Sequence, residues 1–467
     1  MTQAAPVPEG VYADFIVAAV VPRAGSPYGG SHANGRMAPA EAMLAAHPGL
    51  AAHDIFTAAI VGDDVAVRRF LAADASLATA RGGPYGWDAL THLCFSNYLK
   101  EDRARTPGFV AAATALLDAG ADPNTGWFAP EDAPHPSWEP VLYGACGVAH
   151  HPEMTRLLLS RGADPNDDET CYHAPETGDN TALGILLATG RLTPDNLSLI
   201  LLRKLDWHDE PGVRLALAHG ADPRHRWRRS FASLHHALAR GNDTPIIAAL
   251  LDAGADPLDA VDGVTGVQHA IREGRRDVLA GFEARGVPMH VAGADALLLA
   301  LARGDDDAAR AIVADDPALV DDLKARGGEL LSRWCIAWNR DGMRRLLELG
   351  VDANAPYASG DGYYNIRAGA LPIHVASWLL LPDAIRTLVE HGADVNAPCP
   401  GDGATPLALV ARGCTASYWS GRRSPEPARI LLDAGASPGG VTLPTGYDAL
   451  DVLIAERLRM QAADGRT

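Results

Sequence analysis

The feature that most constrains this chain is a short segment that recurs along it. The segment reads LLDAGADPN up to Asn124, LLLSRGADPN up to Asn166 and LVEHGADVN up to Asn396. Each copy has the pattern of the end of an amphipathic helix, which stops at glycine because glycine adopts the left-handed conformation at little cost. The Asp-Pro or Asp-Val that follows favours an extended turn. The chain is therefore predicted to consist of repeated helical units.

The glycine in each copy sets the spacing of these units. The predicted stops are Gly120, Gly162, Gly190, Gly220, Gly254, Gly286, Gly350, Gly392 and Gly435. From Gly190 to Gly286 the intervals are 30, 34 and 32 residues, close to a period of about 33 residues. The 64 residues from Gly286 to Gly350 leave room for one degenerate unit, which we place near residues 294–318.

Upstream of the glycines lie segments that begin a first helix. The clearest are Leu371-Pro372-Ile373-His374 and Thr405-Pro406-Leu407-Ala408. The threonine caps the helix, and the proline lies in the first turn, where a missing N–H costs nothing. With the period, these segments resemble the ankyrin-repeat family over roughly residues 50–460. The resemblance implies an all-α ankyrin-repeat solenoid of about eleven helix-turn-helix units with several long insertions, stacked because one pair cannot bury its apolar stripe alone.

The rest of the chain is divided around this array. We predict an N-terminal extension or cap at residues 1–50, the array at residues 51–460, and a disordered tail at residues 461–467. The stretches GWDALTHLCFSNYL (86–99) and SYWSGRRSPE (417–426) are similar to segments of long bacterial ankyrin-repeat proteins. That likeness supplies no activity and no catalytic residue.

Charge and cysteine content exclude several classes of function. The chain has 40 basic and 58 acidic residues, a formal net charge of −18, so phosphate backbones and anionic lipids are repelled. We therefore predict no nucleic-acid and no membrane partner. Six scattered cysteines without a C-x-x-C pair fit a reducing compartment, so the predicted location is cytoplasmic. No nucleotide, metal or dinucleotide motif occurs in a matching context, and no cofactor is predicted.

Large aromatic residues concentrate in turns and insertions. They fall in insertions at residues 95–108, 125–138, 357–364 and 413–427 and in a basic turn at 224–229. One interpretation is that they fold back and fill gaps between uneven units. The other is that they border a binding surface, since recognition sites are rich in Trp, Tyr and Arg. The candidate binding residues are Tyr98, Trp127, Phe128, Trp138, Trp227, Tyr363, Tyr364, Tyr418 and Trp419.

A second set of candidates lies where the first helix of a pair gives way to the second, in three neighbouring units. Stacked units would align these polar side chains in a row that could hold a metal or move protons. The competing interpretation is that they cap helices and solvate turns. The residues of this His/carboxylate row, with the nearby His173, are His150, His151, His173, Glu176, Asp179, Trp207, His208 and Asp209.

Two functions follow from these patterns. The first is a protein-interaction scaffold that binds a partner protein along its concave face and aromatic insertions. The alternative is an enzyme or a binder of a small molecule or metal, with a pocket formed by insertions 95–108 and 125–138 over the His/carboxylate row. An open groove favours the scaffold, whereas a deep pocket with converging polar groups favours the alternative. Catalytic activity is left open by the sequence.

Overall fold

A computed structural model describes residues 7–21, 37–129, 136–228 and 232–464. The chain is mostly helical with few strands, as predicted. It divides into two compact units, one formed by Met1–Ser233 with Asp252–Ala255 and the other by Leu234–Leu251 with Asp256–Thr467. Within the described ranges, every helix is too short or too polar to cross a lipid bilayer.

The first part of the chain contains helices of moderate length joined by short turns. They are α1 (Glu9–Ala19), α2 (Met37–Ala46), α3 (Ile55–Val61), α4 (Asp64–Ala73), α5 (Ala89–Cys94), α6 (Asn97–Glu101), α7 (Thr106–Asp118), α8 (Val141–Tyr143), α9 (Pro152–Ser160), α10 (Asp168–His173), α11 (Thr181–Leu187), α12 (Pro194–Asp206) and α13 (Glu210–Ala218).

The remaining helices are α14 (Ser233–Ala239), α15 (Thr244–Asp252), α16 (Gly266–Arg272), α17 (Arg276–Ala284), α18 (Gly293–Arg303), α19 (Asp306–Asp315), α20 (Ala318–Ala325), α21 (Gly327–Ile336), α22 (Arg340–Glu348), α23 (Pro372–Trp378), α24 (Pro382–Glu390), α25 (Pro406–Ala416), α26 (Glu426–Asp433) and α27 (Asp448–Asp464). In the part of the chain that the structure describes, three antiparallel strand pairs join some of the helices: β1 (Arg81–Gly82) with β2 (Trp87–Asp88), β3 (Gly126–Phe128) with β4 (Trp138–Pro140), and β5 (Ala260–Val261) with β6 (Val264–Thr265).

The helices pair and stack within each unit. In the first unit α3 packs on α5 and α4 packs on α7, so first helices meet first helices and second helices meet second helices. In the second unit α23 packs on α25 and α24 packs on α26 in the same way. All nine predicted glycine stops have positive φ, between 63° and 101°. The predicted helix ends are therefore confirmed.

An asparagine clasp links neighbouring helix ends at four places. The side chain of Asn124 donates to the carbonyl of Gly162 over 3.3 Å and accepts from the amide of Asp164 over 2.7 Å. Asn354 makes the same two bonds to Gly392 and Asp394. Asn396 repeats the pattern on Gly435 and Ser437, and Asn166 makes the two bonds one residue later, to the carbonyl of Arg191 and the amide of Thr193. The last residue of the repeated segment thus supplies a hydrogen-bonded link to the next pair.

The turn between the two helices of a pair has a fixed backbone form, and we name it the inter-helix turn. One residue there has positive φ, and in several pairs the side chain of the next residue caps the second helix. Glycine fills the positive-φ place at Gly62, Gly241, Gly274 and Gly304, whereas other pairs carry His150, His208, Trp338 and Leu380. The capping side chains accept a backbone N–H three residues on, at Asp63, His151, Asp209, Asp305 and Asn339.

Helices lie at both ends of the array. Within the described residues, the extension contains α1 and α2, and α1 contacts α2 and α3, while the amide of Val21 donates to the carbonyl of Phe95 over 2.7 Å. At the other end α27 continues to Asp464, so the tail predicted from residue 461 is helical in its first part, and residues 465–467 lie outside the described ranges. The degenerate unit is followed by an additional helix, α20.

Candidate functional site

Two aromatic candidates of the first unit belong to its core. Trp127 is buried, with its ring 5.0 Å from that of Trp87 and 5.8 Å from that of Phe95. Tyr98 is fully buried, and the guanidinium of Arg105 lies 4.8 Å from its ring centroid. These side chains fill space between neighbouring helix pairs. This agrees with the interpretation that the inserted aromatic residues fold back and fill gaps. Neither can serve as a surface contact in this conformation.

The tip of the β3–β4 hairpin carries exposed aromatic side chains. Phe128 and Trp138 pack edge to face, with ring centroids 4.7 Å apart, and both reach solvent. Residues 130–135 of this insertion lie outside the described ranges. In the basic turn, Arg228 covers the ring of Trp227 at 4.4 Å, while Arg229 also lies outside them.

The two insertions of the second unit come together. Tyr364 is buried, and its hydroxyl donates to the carbonyl of Arg240 over 2.8 Å. A Cβ on Gly241 would lie 2.7 Å from that hydroxyl, so the glycine leaves room for the tyrosine. The ring of Trp419 stacks on Tyr364 at 6.0 Å with an interplanar angle of 23°. Tyr364 is therefore the buried base of this contact and not itself a surface residue.

On this base lies what we name the aromatic–arginine surface, all of it within the second unit. The guanidinium of Arg422 lies 4.3 Å from the ring of Trp419 and 4.7 Å from that of Trp338, between two indoles. Tyr418 packs edge-on against Trp419 at 4.9 Å. The surface consists of Arg240, Trp338, Tyr363, Tyr418, Trp419 and Arg422.

Trp338 is the unusual member of this surface. It occupies the positive-φ place of an inter-helix turn, with φ of 57°, yet its side chain is 63% exposed. The left-handed conformation costs a non-glycine residue roughly 1–2 kcal/mol. An exposed indole recovers little of that cost through core burial. Strain of this kind points to a function at the residue concerned.

The two arginines of this surface interact with aromatic rings, and Arg422 also lies near a carboxylate. Burial lowers the pKa of Arg422, and the nearby Asp243 opposes that shift. Arg240 lies 4.2 Å from the ring of Tyr363. Arginines over aromatic faces are attracted by the ring quadrupole and stack on the rings. Sequence reasoning missed Trp338 and Arg240, although Trp338 could have been found as a residue that replaces the glycine of its turn.

In the His/carboxylate row of the first unit, His151 acts as a helix cap. Its Nδ1 accepts the amide of Met154 over 3.2 Å, and its Nε2 lies 3.0 Å from the hydroxyl of Thr106. The proton must therefore be on Nε2, where it is donated to Thr106. Burial, with a contribution from Arg103, lowers the pKa of His151 to about 4. The ring is thus neutral at pH 7, with both nitrogens in use.

In the next helix pair of the first unit, His173 lies between two carboxylates. Nε2 of His173 lies 3.3 Å from Glu169, and Nδ1 lies 3.1 Å from Glu176. Burial alone would lower the pKa of His173, but the hydrogen bonds to both carboxylates raise it. Glu176 also accepts from Arg203 over 2.6 Å. The charges of this cluster neutralise one another.

A buried lysine completes the row. Lys204 is fully buried, and its Nζ donates to Asp209 and to the carbonyl of Thr177, each over 2.7 Å. Asp209 also accepts from Asn180 over 2.8 Å and from the Gly212 amide at the start of α13 over 3.0 Å. Burial alone would raise the pKa of Asp209, but these hydrogen bonds lower it.

The other members of the row have separate positions. Burial, assisted by nearby cationic side chains, lowers the pKa of His150 to about 4. Asp179 is exposed and accepts from Thr181, and Trp207 precedes His208 on an exposed turn. Across the described ranges, no three His, Cys, Asp or Glu side chains come together as a metal site. The structure brings the row together as capping groups and ion pairs.

Comparisons with known proteins add little to this description. No family model matches the chain, and no curated protein matches it. Among solved structures, the crystal structure of the human ASB11 ankyrin repeat domain matches at 18% identity and a TM-score of 0.24. The match covers 57% of this chain and 98% of that one. So low a TM-score carries no conclusion about function, and the repeat assignment rests on the helix ends and clasps described above.

Proposed function

We propose that this chain is a protein-interaction scaffold, built as an ankyrin-type solenoid of about eleven units, that binds a partner protein through the aromatic–arginine surface. The observation that supports the proposal most is the exposed, strained Trp338 next to Arg422. Tryptophan, tyrosine and arginine are the residues that dominate binding energy at protein interfaces. Here they are gathered on a rigid support of buried Tyr364 and packed helices, which limits the ordering cost of binding.

The alternative of an enzyme or a metal or small-molecule binder at the His/carboxylate row has weaker support. The side chains that would act on a ligand are engaged: His151 caps α9, His173 lies between Glu169 and Glu176, and Asp209 holds Lys204. A ligand would have to displace these contacts in a largely buried region, leaving buried polar groups unpaired. We therefore assign the row a structural role.

The test compares capture of partners by three purified variants from lysate of the native host. Trp338→Gly suits the backbone of the turn and removes the indole, and Arg422→Gln removes the charge between the rings. His208→Gly is the matched control, because it makes the same kind of change at an inter-helix turn of the first unit. Any protein that the wild type retains is then purified, and its affinity for each variant is measured by calorimetry.

We expect Trp338→Gly and Arg422→Gln each to weaken that affinity by about 30-fold or more, the value for loss of about 2 kcal/mol at a hot spot. The control should bind as the wild type does. Equal affinity of all three variants for every captured protein would refute the proposed surface. Circular dichroism spectra of the variants must match the wild type, which separates lost contacts from lost folding.

A further inference from the structure

A small cavity lies beside the aromatic–arginine surface, within the second unit. Its volume is about 170 Å³, and it opens between the segment 365–370, helix α23, the turn 399–402 and helix α25. Trp378, at the end of α23, connects the two features, since its indole N–H donates to the carbonyl of Tyr364 over 2.8 Å. The apolar part of the lining is formed by Ile366, Ala370, Val375, Trp378, Leu409 and Ala416.

Two guanidinium groups border this apolar lining. Arg412 donates to Asp402 over 2.5 Å and is therefore neutralised. Arg367 is exposed and forms no ion pair with any residue in the described ranges. Its Nη1 lies 2.7 Å from the place that a Cβ on Gly401 would occupy, so the turn leaves space for this side chain. The charges of Arg367, Arg412 and Asp402 thus sum to +1 at the cavity, in a chain of net charge −18. The hydrogen bond from Arg412 and, to a smaller extent, the charge of Arg367 lower the pKa of Asp402.

The other polar groups of the lining are not suited to catalysis. His374 accepts from the amide of Leu371 over 3.0 Å, and its other nitrogen lies 2.9 Å from the carbonyl of Ala397. Burial lowers the pKa of His374 and keeps it neutral. Burial also raises the pKa of the Cys399 thiol, which disfavours the reactive thiolate. His374 and Cys399 therefore offer neither a free base nor a thiolate nucleophile to a molecule in the cavity.

Its size decides what it can bind. Sites for cofactors and drug-sized ligands measure roughly 300–1,000 Å³, well above this cavity. The volume suits a single apolar side chain. Because Ile366 in the lining and Arg367 at the rim are consecutive, the apolar region and the charge lie within reach of one bound residue. A residue that presents both an apolar side chain and a carboxylate matches this pair of features.

We propose that the cavity binds the C-terminal residue of a partner protein, with its apolar side chain inside and its α-carboxylate on Arg367. A C-terminal residue carries both groups on one Cα. Its binding therefore fixes fewer rotatable side-chain bonds than the binding of an apolar residue followed by Asp or Glu. Capture of chain ends by their carboxylate is a recurring mode of peptide recognition. The inference rests on the proposed function, because it supplies an anchor for the same partner.

The experiment uses fluorescein-labelled peptides and the full-length chain, with binding followed by fluorescence polarisation. The peptides are Gly-Ser-Gly-Ser-Phe as the free acid, the same peptide as its C-terminal amide, and Gly-Ser-Gly-Phe-Asp-amide. We expect the free acid to bind with a Kd on the order of 10⁻⁴ M, which is typical of a single anchor. The amide should bind about tenfold more weakly, the loss expected for one charge-assisted hydrogen bond.

Variants link that preference to the cavity. Arg367→Gln should weaken binding of the free acid about tenfold and abolish the difference between acid and amide. Arg386→Gln is the matched control, since Arg386 is an exposed arginine on α24 that pairs with Asp383 and Glu426, and it should keep the preference. Trp338→Gly should leave peptide affinity unchanged, which separates this inference from a failure of the aromatic–arginine surface.

The following outcomes would overturn the inference. They are equal binding of acid and amide, an acid preference that survives Arg367→Gln, and tighter binding of the Phe-Asp amide, which would assign the site to an internal acidic segment. Absence of binding by the free acid at millimolar concentration would also overturn it. None of these results alters the comparison of Trp338→Gly with the wild type in partner capture, so the two proposals can fail separately.

Discussion

Acid should destabilise the first unit by protonating its buried neutral histidines, although burial also raises the pKa of Asp167 in this unit to about 6, an effect of opposite sign. His92 and His151 are fully or almost fully buried, and burial lowers the pKa of each to about 4, against 6.5 in an unfolded chain. The unfolded chain therefore binds the proton more tightly than the folded chain does. The free energy of unfolding is not reduced by these histidines above pH 6.5. It falls as the pH decreases towards 4, and below pH 4 their full effect has been reached.

The size of the effect follows from the change in pKa of His151. A fall from 6.5 to about 4 corresponds to about 3 kcal/mol, at about 1.4 kcal/mol per pH unit. About 2 kcal/mol of this is lost by pH 5. The physical cause is that protonation of Nδ1 removes the acceptor for the Met154 amide and leaves a charge among buried groups. A loss of 2 kcal/mol is a large part of the stability of a typical domain, roughly 5–15 kcal/mol.

The variant His151→Asn isolates this contribution, because asparagine caps helices but does not titrate. At pH 7 we expect it to be about 1 kcal/mol less stable than the wild type, since the contact with Thr106 is lost. Below about pH 5.5 it should become the more stable of the two. Urea unfolding followed by circular dichroism at pH 7, 6 and 5 measures the difference, and the exposed His219→Asn is the control.

The reasoning would be refuted by parallel loss of stability in wild type and His151→Asn between pH 7 and pH 5. Hydrogen exchange of the amides in α9, which His151 caps, locates the effect. The ratio of the exchange rate in the wild type to that in His151→Asn should be higher at pH 5 than at pH 7.

Other changes test the packing of the array. Lys204→Met should cost about 3 kcal/mol in urea unfolding because it leaves the Asp209 carboxylate without its buried partner, and adding Asp209→Asn should recover part of that loss. Gly274→Ala should cost about 3 kcal/mol, since φ is 70° and the new Cβ would lie 2.5 Å from the ring of Trp334. Gly392→Ala, with φ of 85° and open space around its Cβ, should cost only about 1 kcal/mol.

The helix ends could be predicted from the sequence because their cause is local. A glycine that follows an amphipathic segment and precedes Ala-Asp favours the left-handed conformation, and Gly120, Gly162 and Gly392 all adopt it. The capping role of His151 was also available as one of two interpretations, since the residue directly precedes the Pro-Glu that opens α9. Local chemistry was sufficient for these features.

Which of the inserted side chains are buried and which lie at the surface could not be predicted in the same way. Tyr363 and Tyr364 are consecutive in sequence, yet one borders the aromatic–arginine surface and the other is its buried base. The difference depends on the space beside Gly241, which is more than a hundred residues away. Likewise, the cavity beside Arg367 is formed by segments from 365 to 416. Such sites depend on how neighbouring units fit, which no single segment encodes.

The asparagine clasp has a consequence for how such a chain can lengthen. Asn354 and Asn396 present the same amide to the same pair of backbone groups on the helix end that follows. A gene segment that encodes one complete helix pair, copied in frame, would bring its own asparagine and its own acceptor. Both new junctions would then form the same asparagine hydrogen bonds as the existing ones. Recombination could therefore add whole helix pairs without requiring a new kind of interface.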